Sequence, residues 1–409
     1  MDTMTDPHCS AAGAFFNFIG PAHAFYQQVQ AFKKLIEASP AYCAFQTRRN
    51  NGLSTTIHAE IKTKCDRQGR HLERFYYSIQ YPDHALPGGL FGWSVHYTRS
   101  EGAPKIYRFP EDPKLPHLQA FIESTGNQDV EVLRYVPLRR VTFRKARAGT
   151  IAPCIGKLKK PNRCLDGYRR LSGVASIAEK NRCTIPEPID LDRTQSVFYQ
   201  TLVPGKEAGL VLNRDNYRAL MFEIGQLQYH IHQWPVAPDK PWDRNQVTAN
   251  LWHDVDEIIF YLPNTETLLL KIKHWLKQQQ GFLRVIPNTF CHGDFACSQI
   301  LHHDKGWSVV DFDLAGEGHP YQDMAFFMAS LYFDVEFFQK HSDFLPAAYD
   351  AFLAGYQKAN DNSIDLDTFN WYWVGAEIYF LALALKKDRL NEQGLERTLT
   401  RLQALTHLN

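Results

Sequence analysis

The spacing of apolar positions changes character along this chain, and each change marks a different kind of element. Residues 22–37 (AHAFYQQVQAFKKLIE) place Phe25, Val29, Phe32, Leu35 and Ile36 at helical intervals, which predicts a helix with one buried face. From 54 to 109 the pattern alternates through STTIHAEIKTKC, ERFYYSIQY, GWSVHYTR and PKIYRF, with turn residues at 66–69 and 100–102. Such a pattern predicts an antiparallel meander. Helix and meander together make an α+β unit.

Prolines at 110, 113 and 116 then interrupt the chain, and because each restricts its predecessor and blocks regular pairing, a boundary is expected near 116. Beyond it, 130–145 (VEVLRYVPLRRVTFRK) and 151–159 (IAPCIGKLK) read as two strands joined by a turn at 146–149. Residues 165–180 have helical spacing, and 195–203 (QSVFYQTLV) are strand-like again. From Tyr217 onwards the periodicity is mostly helical. The expected fold class is α+β: an N-terminal unit over 1–116, a small β-rich lobe over 117–205 and a helical large lobe over 206–409.

Composition narrows the class. The apolar and charged fractions, 44% and 22%, are those of a globular protein, and 45 Lys+Arg against 44 Asp+Glu leave no global field to attract nucleic acid or an anionic membrane. The eight cysteines form no C-x-x-C pair, which argues against a zinc ribbon or a disulfide scaffold. No run approaches the about 18 to 20 apolar residues of a membrane span. The N-terminus has acidic residues where a signal peptide carries basic ones. A cytoplasmic location, with neither nucleic acid nor membrane as partner, is expected.

Chemistry concentrates in residues 291–325, CHGDFACSQILHHDKGWSVVDFDLAGEGHPYQDMA. Asp294 and Gln299 lie in a segment too short and irregular for a long helix, so a folded loop can point both at one place. Asp311 follows the β-type run 307–310 and would sit at a strand end facing the same place. One carboxylate near a substrate hydroxyl, with an oxygen ligand and a second carboxylate on Mg²⁺, is the minimum set for moving a γ-phosphoryl group.

These residues resemble a family pattern. His292-Gly293-Asp294, Val310-Asp311-Phe312-Asp313 and the G-x-P-x-x-D-x-A element from Gly318 through Asp323 to Ala325 are similar to the loops of the aminoglycoside phosphotransferase and choline kinase superfamily. Gln299 stands where that superfamily has Asn; a Gln carbonyl can ligate Mg²⁺, but on a stem one methylene longer. The loop Asp294-Phe295-x-x-x-Gln299-Ile300-Leu301 is similar to that of a set of bacterial phosphotransferase-like proteins reading D-F-x-x-x-Q-[IV]-L.

The resemblance implies a bilobal protein-kinase-like fold and transfer from ATP or GTP, with Mg²⁺, to a hydroxyl of a small molecule, a sugar or an aminoglycoside-like compound. It makes Asp294 the catalytic carboxylate, Gln299 and Asp311 metal ligands, and His292 and Asp323 braces of the loop. Asp313 is read either as a neighbour of the metal or as a solvated strand-end residue. Among Lys157, Lys159 and Lys160, alternation puts the first two on one face, and the family pattern favours Lys157 as the phosphate-binding lysine. Its partner acid is expected on the following helix, where Asp166 and Glu179 are the candidates. The backbone of Gln200 and Leu202 is expected to hold the base, a contact without side-chain signature.

Other features have plainer readings. Arg139, Arg140 and Arg144 could face phosphates, but they read first as a solvated strand face. Trp234, Trp242, Trp252, Tyr261, Trp275, Trp371 and Trp373 could stack on a sugar, but at helical spacing they read first as core. Two rival functions are a catalytically inactive kinase-like protein that binds nucleotide or metabolite, and a metallohydrolase built on His302, His303 and His319 with Asp304 and Asp311. The second lacks the usual ligand spacings.

Overall fold

The computed structural model describes Lys34 and residues 56–66, 69–82, 86–101, 105–145, 153–178, 182–235, 244–337, 344–360, 363–387 and 389–408. Apart from Lys34, the helix expected at 22–37 lies outside them, as does the turn expected at 146–149.

The alternating region forms a four-stranded antiparallel meander, β1 (Thr56–Asp66), β2 (Gly69–Pro82), β3 (Leu90–Thr98) and β4 (Lys105–Arg108). Register sets Phe75 opposite Tyr97 and Tyr77 opposite Val95. These four, with Ile61, are buried in the same contiguous apolar cluster as the C-terminal helices. Alternate positions Ser78, Gln80, Ser94 and His96 are buried as well, so the sheet is covered on both faces.

Helix α1 (Leu118–Asp129) leads into a five-stranded antiparallel sheet: β5 (Val130–Val136), β6 (Arg140–Lys145), β7 (Cys154–Lys159), then helix α2 (Pro161–Ile177), β8 (Pro188–Asp192) and β9 (Val197–Thr201), in the order β5-β6-β7-β9-β8. The run 130–145 is therefore two strands and not one. Pro137 cannot donate to a ladder, and Leu138 adopts φ 65, so the chain reverses at 137–139.

The large lobe is helical: α3 (Tyr217–His232), α4 (Arg244–Tyr261), α5 (Glu266–Gln279), α6 (Pro320–Phe337), α7 (Leu345–Asn360), α8 (Leu366–Lys386) and α9 (Glu392–Thr406). Helices α3 and α7 cross at backbone contact, because a Cβ on Gly225 would lie 2.2 Å from the Phe352 carbonyl oxygen and one on Gly355 2.0 Å from that of Phe222. Trp234, Tyr261, Trp371 and Trp373 are buried there, as core.

Between the lobes, β10 (Lys206–Glu207) pairs with β12 (Ile300–His303), which forms a hairpin with β13 (Gly306–Val309); β11 (Thr289–Cys291) pairs with β14 (Gly316–Gly318). The pairing of β11 with β14 closes both ends of residues 292–315, the site segment.

The N-terminal sheet engages both lobes. Glu60 on β1 takes Arg139 from the small-lobe turn, Lys387 from the end of α8 (3.6 Å) and Arg74 from its own sheet (3.9 Å). Its Oε2 also accepts from the Tyr76 hydroxyl at 3.4 Å. A chain starting near Leu118 is expected to be poorly soluble and to bind nucleotide with altered affinity, since truncation uncovers part of the large-lobe core and unpins the small-lobe turn. Soluble yield, thermal melts and nucleotide titrations check this; melts and affinity matching the full chain would show that the sheet is an independent module.

Candidate active site

The loop after β11 is built on Asp323, near the start of α6. Its two carboxylate oxygens each accept a backbone N–H at 2.9 Å, from His292 and from Gly293. His232 Nε2 lies 3.3 Å away, and His232 Nδ1 is 2.8 Å from the Tyr356 hydroxyl. Burial alone would raise the Asp323 carboxyl, yet His232, His292 and the amide donors hold it below the usual carboxylate range. Gly293 supplies φ 82, open to glycine without strain.

His292 is fully buried, with Nε2 2.9 Å from the Val310 carbonyl and Nδ1 accepting the Asp294 N–H at 3.3 Å. One nitrogen donates and the other accepts, which suits the neutral ring, and burial lowers its pKa in the same sense. His292 thus ties the loop to the strand end that carries Asp311.

Asp294 projects from this braced loop. Burial, with Asp311 nearby, pushes its carboxyl up to about 7, while Arg140 pulls the other way. Asp311 behaves oppositely. Burial would raise it, but Lys157 Nζ at 2.8 Å from Oδ1 and Arg140 Nη1 at 3.2 Å from Oδ2 hold it well below the usual carboxylate range. Asp311 sits at φ 66, ψ 49, so the chain turns sharply after β13 and aims the carboxylate back at the small lobe.

Gln299 lies at the mouth of the same hairpin, where its carbonyl accepts the Val310 N–H at 2.9 Å. That bond and its N–H to the Ala296 carbonyl at 2.8 Å are backbone contacts, and the residue as a whole is 9% exposed. An amide oxygen beside a buried carboxylate fits a hard divalent cation, so Gln299 and Asp311 could hold one.

Lys157 and Lys159 both face this group, over the ring of Phe198 at 5.9 and 5.4 Å, and Lys159 pairs with Asp313. Of the two acids expected on the helix after β7, only Asp166 is among the described residues. Asp166 is exposed, Gly167 is the α2 residue facing Lys159, and Glu179 lies outside the described residues. Asp311 and Asp313 take the cations. Arg140 is not part of a solvated face, since it reaches Asp311 and, at 3.4 Å, Asp313; Arg139 and Arg144 pair with Glu60 and Glu131. Gln200 is enclosed in the sheet between β7 and β8, whereas Leu202, past the end of β9, is 44% exposed. Gly205 follows with φ 121, where a Cβ would meet Leu301.

The metallohydrolase histidines do not converge: His302 packs on Trp307, His319 stacks on Tyr372, and His303 Nδ1 accepts from Lys305 N–H. Among the described residues the one group of three or more His, Cys, Asp or Glu side chains close enough to share a metal is His232, Cys291 and Asp323, whose His and Asp serve as loop braces.

This arrangement was compared with known proteins. The family model described as "Phosphotransferase enzyme family" matches residues 158–372, more than half of the sequence. The chain belongs to this family. None of the curated proteins compared with this phosphotransferase matches it. Among solved structures, a thermostable mutant of aminoglycoside phosphotransferase APH(4)-Ia in ternary complex with ADP and hygromycin B is similar at TM-score 0.50 and 14% identity, over 71% of this chain and 98% of that one. It shares the bilobal kinase-like fold. Amicoumacin kinase hAmiN in complex with AMP-PNP, Ca²⁺ and Ami is 15% identical, with TM-score 0.47 over 71% of this chain and 93% of that one. Aminoglycoside phosphotransferase APH(3'')-Id from Streptomyces rimosus is 16% identical, with TM-score 0.46 over 67% and 99%. Among the described residues of the phosphotransferase no helix is long and apolar enough to cross a membrane.

Proposed function

We propose that this phosphotransferase moves the γ-phosphoryl group of a Mg²⁺-bound nucleoside triphosphate, ATP by default, to a hydroxyl of a small molecule of the sugar or aminoglycoside-like kind. The observation that carries the reading is the pairing of two unlike carboxylates in one cleft: Asp294 with its pKa pushed up to about 7, and Asp311 held ionised under Lys157. A base near neutrality suits proton acceptance, and a permanent anion suits a metal.

In this mechanism Lys157 neutralises phosphate charge from β7, Gln299 and Asp311 hold the divalent ion, and Asp294 orients the acceptor hydroxyl and receives its proton. The ion, when bound, supplies charge neutralisation on the transferring phosphoryl oxygens. His292 and Asp323 keep Asp294 in place. Tyr379 of α8 lies within electrostatic reach of both Asp294 and Asp254, which supports that helix as a border of the acceptor site. Leu202 and the segment to Pro204 border the position of the base.

The direct test is a thermal-shift screen with ATP and GTP, with and without Mg²⁺, followed by nucleotide consumption against a panel of sugars and aminoglycosides. Metal-dependent stabilisation by one nucleotide and acceptor-dependent ADP or GDP release are expected. A protein that neither nucleotide stabilises under any metal condition would rule the reading out.

Gln299 gives a second test. Gln299→Ala is expected to raise the Mg²⁺ concentration needed for half-maximal rate by roughly tenfold, while Gln299→Asn, with the same amide on a shorter stem, recovers part of the loss. Unchanged rate and metal dependence in the alanine variant would remove Gln299 from the metal site.

A further inference from the structure

The hairpin turn 137–139 covers the cleft where a kinase-like fold uses the amides of a glycine-rich flap to hold phosphates. Here those amides are spent or missing. Pro137 has no N–H. Leu138 donates its own to Asp112 Oδ2 at 2.7 Å, and Arg139 donates to the Val136 carbonyl at 3.1 Å. Asp112 comes from the proline-punctuated stretch before α1, is 8% exposed, and also takes the Tyr135 hydroxyl at 2.8 Å and the Lys114 N–H at 2.8 Å. The turn is pinned from behind and offers the cleft no backbone donor.

Its flanking side chains are another matter. Register pairs Val136 with Arg140 and Arg134 with Thr142, which places Arg134 and Arg140 on one face of the hairpin; Thr142 and Arg140 pair in turn with Lys157 and Lys159, on that same face. Four cations therefore look down on Asp294, Asp311 and Asp313. Arg140 already touches two of these carboxylates, and Arg134 lies within electrostatic reach of Asp294 and Asp311.

We propose that Arg140, seconded by Arg134, is the phosphate clamp of this enzyme, its guanidinium taking the place of the flap amides on the terminal phosphates of the nucleotide. The inference rests on the reading of the cleft as a nucleoside triphosphate site. A planar fork of N–H donors matches phosphoryl oxygens in two-point contact, and the turn pinned by Asp112 holds that fork in place before nucleotide arrives. In the nucleotide-free protein the same fork rests on Asp311 and Asp313, so binding exchanges one set of oxygens for another.

Calorimetric titration of ATP, ADP and AMP, each with Mg²⁺, into the wild type and into Arg140→Ala, Arg140→Lys, Arg134→Ala and Arg144→Ala tests the assignment. Arg140→Ala should weaken ATP binding by roughly 10- to 100-fold while leaving AMP within a few fold. The preference for triphosphate over monophosphate then collapses. Arg140→Lys should keep part of it, Arg134→Ala should lose a smaller part, and Arg144→Ala, paired with Glu131 away from the cleft, should match the wild type. Thermal melts establish that each variant is folded; if Arg140→Ala is not, the Arg140→Lys and Arg134→Ala titrations decide. A wild type that prefers ATP over AMP, with variants that keep that preference or lose affinity for both nucleotides equally, overturns the clamp and leaves the proposed function standing. A wild type that binds no nucleotide overturns both.

Discussion

Asp294→Asn is expected to lower turnover by about 10³-fold or more while leaving nucleotide affinity within a few fold. The amide keeps the shape of the side chain but cannot accept the acceptor's proton, and Asp294 is not one of the groups assigned to nucleotide or metal. The substitution has a second consequence of opposite sign. The folded pKa of about 7 exceeds the unfolded value near 3.9, so the folded protein holds a proton that the unfolded chain releases. Stability attributable to this group therefore falls as pH rises from about 4 to about 7, and the loss is complete above 7. At pH 8 the Asn variant should be the more stable protein, by on the order of 1 to 2 kcal/mol after allowing for partial exposure, and the gap should narrow towards pH 4. Turnover of the wild type should rise with pH as Asp294 ionises, and a divalent ion beside Asp311 should move that limb below 7. Steady-state kinetics and thermal melts over pH 4 to 9 read all of this; wild-type turnover in the Asn variant would remove Asp294 from the role of base.

The other large effect is expected at Asp311. Asp311→Asn should abolish metal-dependent nucleotide binding, measured as a loss of at least about 100-fold in ATP affinity with Mg²⁺ present. It should also destabilise the protein, because Lys157 and Arg140 would be left without the charge they share; breaking a buried pair costs about 3 to 5 kcal/mol. Asn tolerates the left-handed backbone at this position, so strain does not confuse the result. A folded variant that binds ATP with the wild-type metal requirement would move the metal site elsewhere.

Much of the candidate site was legible because phosphoryl transfer, the activity proposed, calls for particular side chains at short offsets. Asp294, Gln299, Asp311 and Asp323 carry their chemistry in their identities, and the fold brings their segments together through one loop and one hairpin. The meander was legible from alternation alone. What alternation cannot say is which partner covers a face, so Phe75, Tyr77, Val95 and Tyr97 announced a buried surface without announcing the large lobe as its partner. Arg140 was read first as a solvated residue for a similar reason. An arginine on a strand beside other arginines looks the same whether it faces water or an aspartate, and only the reversal at 137–139 turns it towards the cleft. That reversal carries no glycine and no usual turn dipeptide; Pro137 was its one local signal. The ion pair of Lys157 with Asp311 comes from the opposite lobe, a contact across 154 positions that no local pattern encodes.

Glu60 bears on kinetics. A single carboxylate receives Arg139 from the turn above the cleft and Lys387 from the end of the helix below it, and the arginine is 57% exposed. Separating the lobes to let product leave therefore means pulling cations away from one shared anion at a partly wet position. Ions in solution weaken such attractions over a distance of about 10 Å at 0.1 M salt. Product residence time in this enzyme is accordingly expected to shorten with ionic strength, and to do so less in a Glu60→Gln variant.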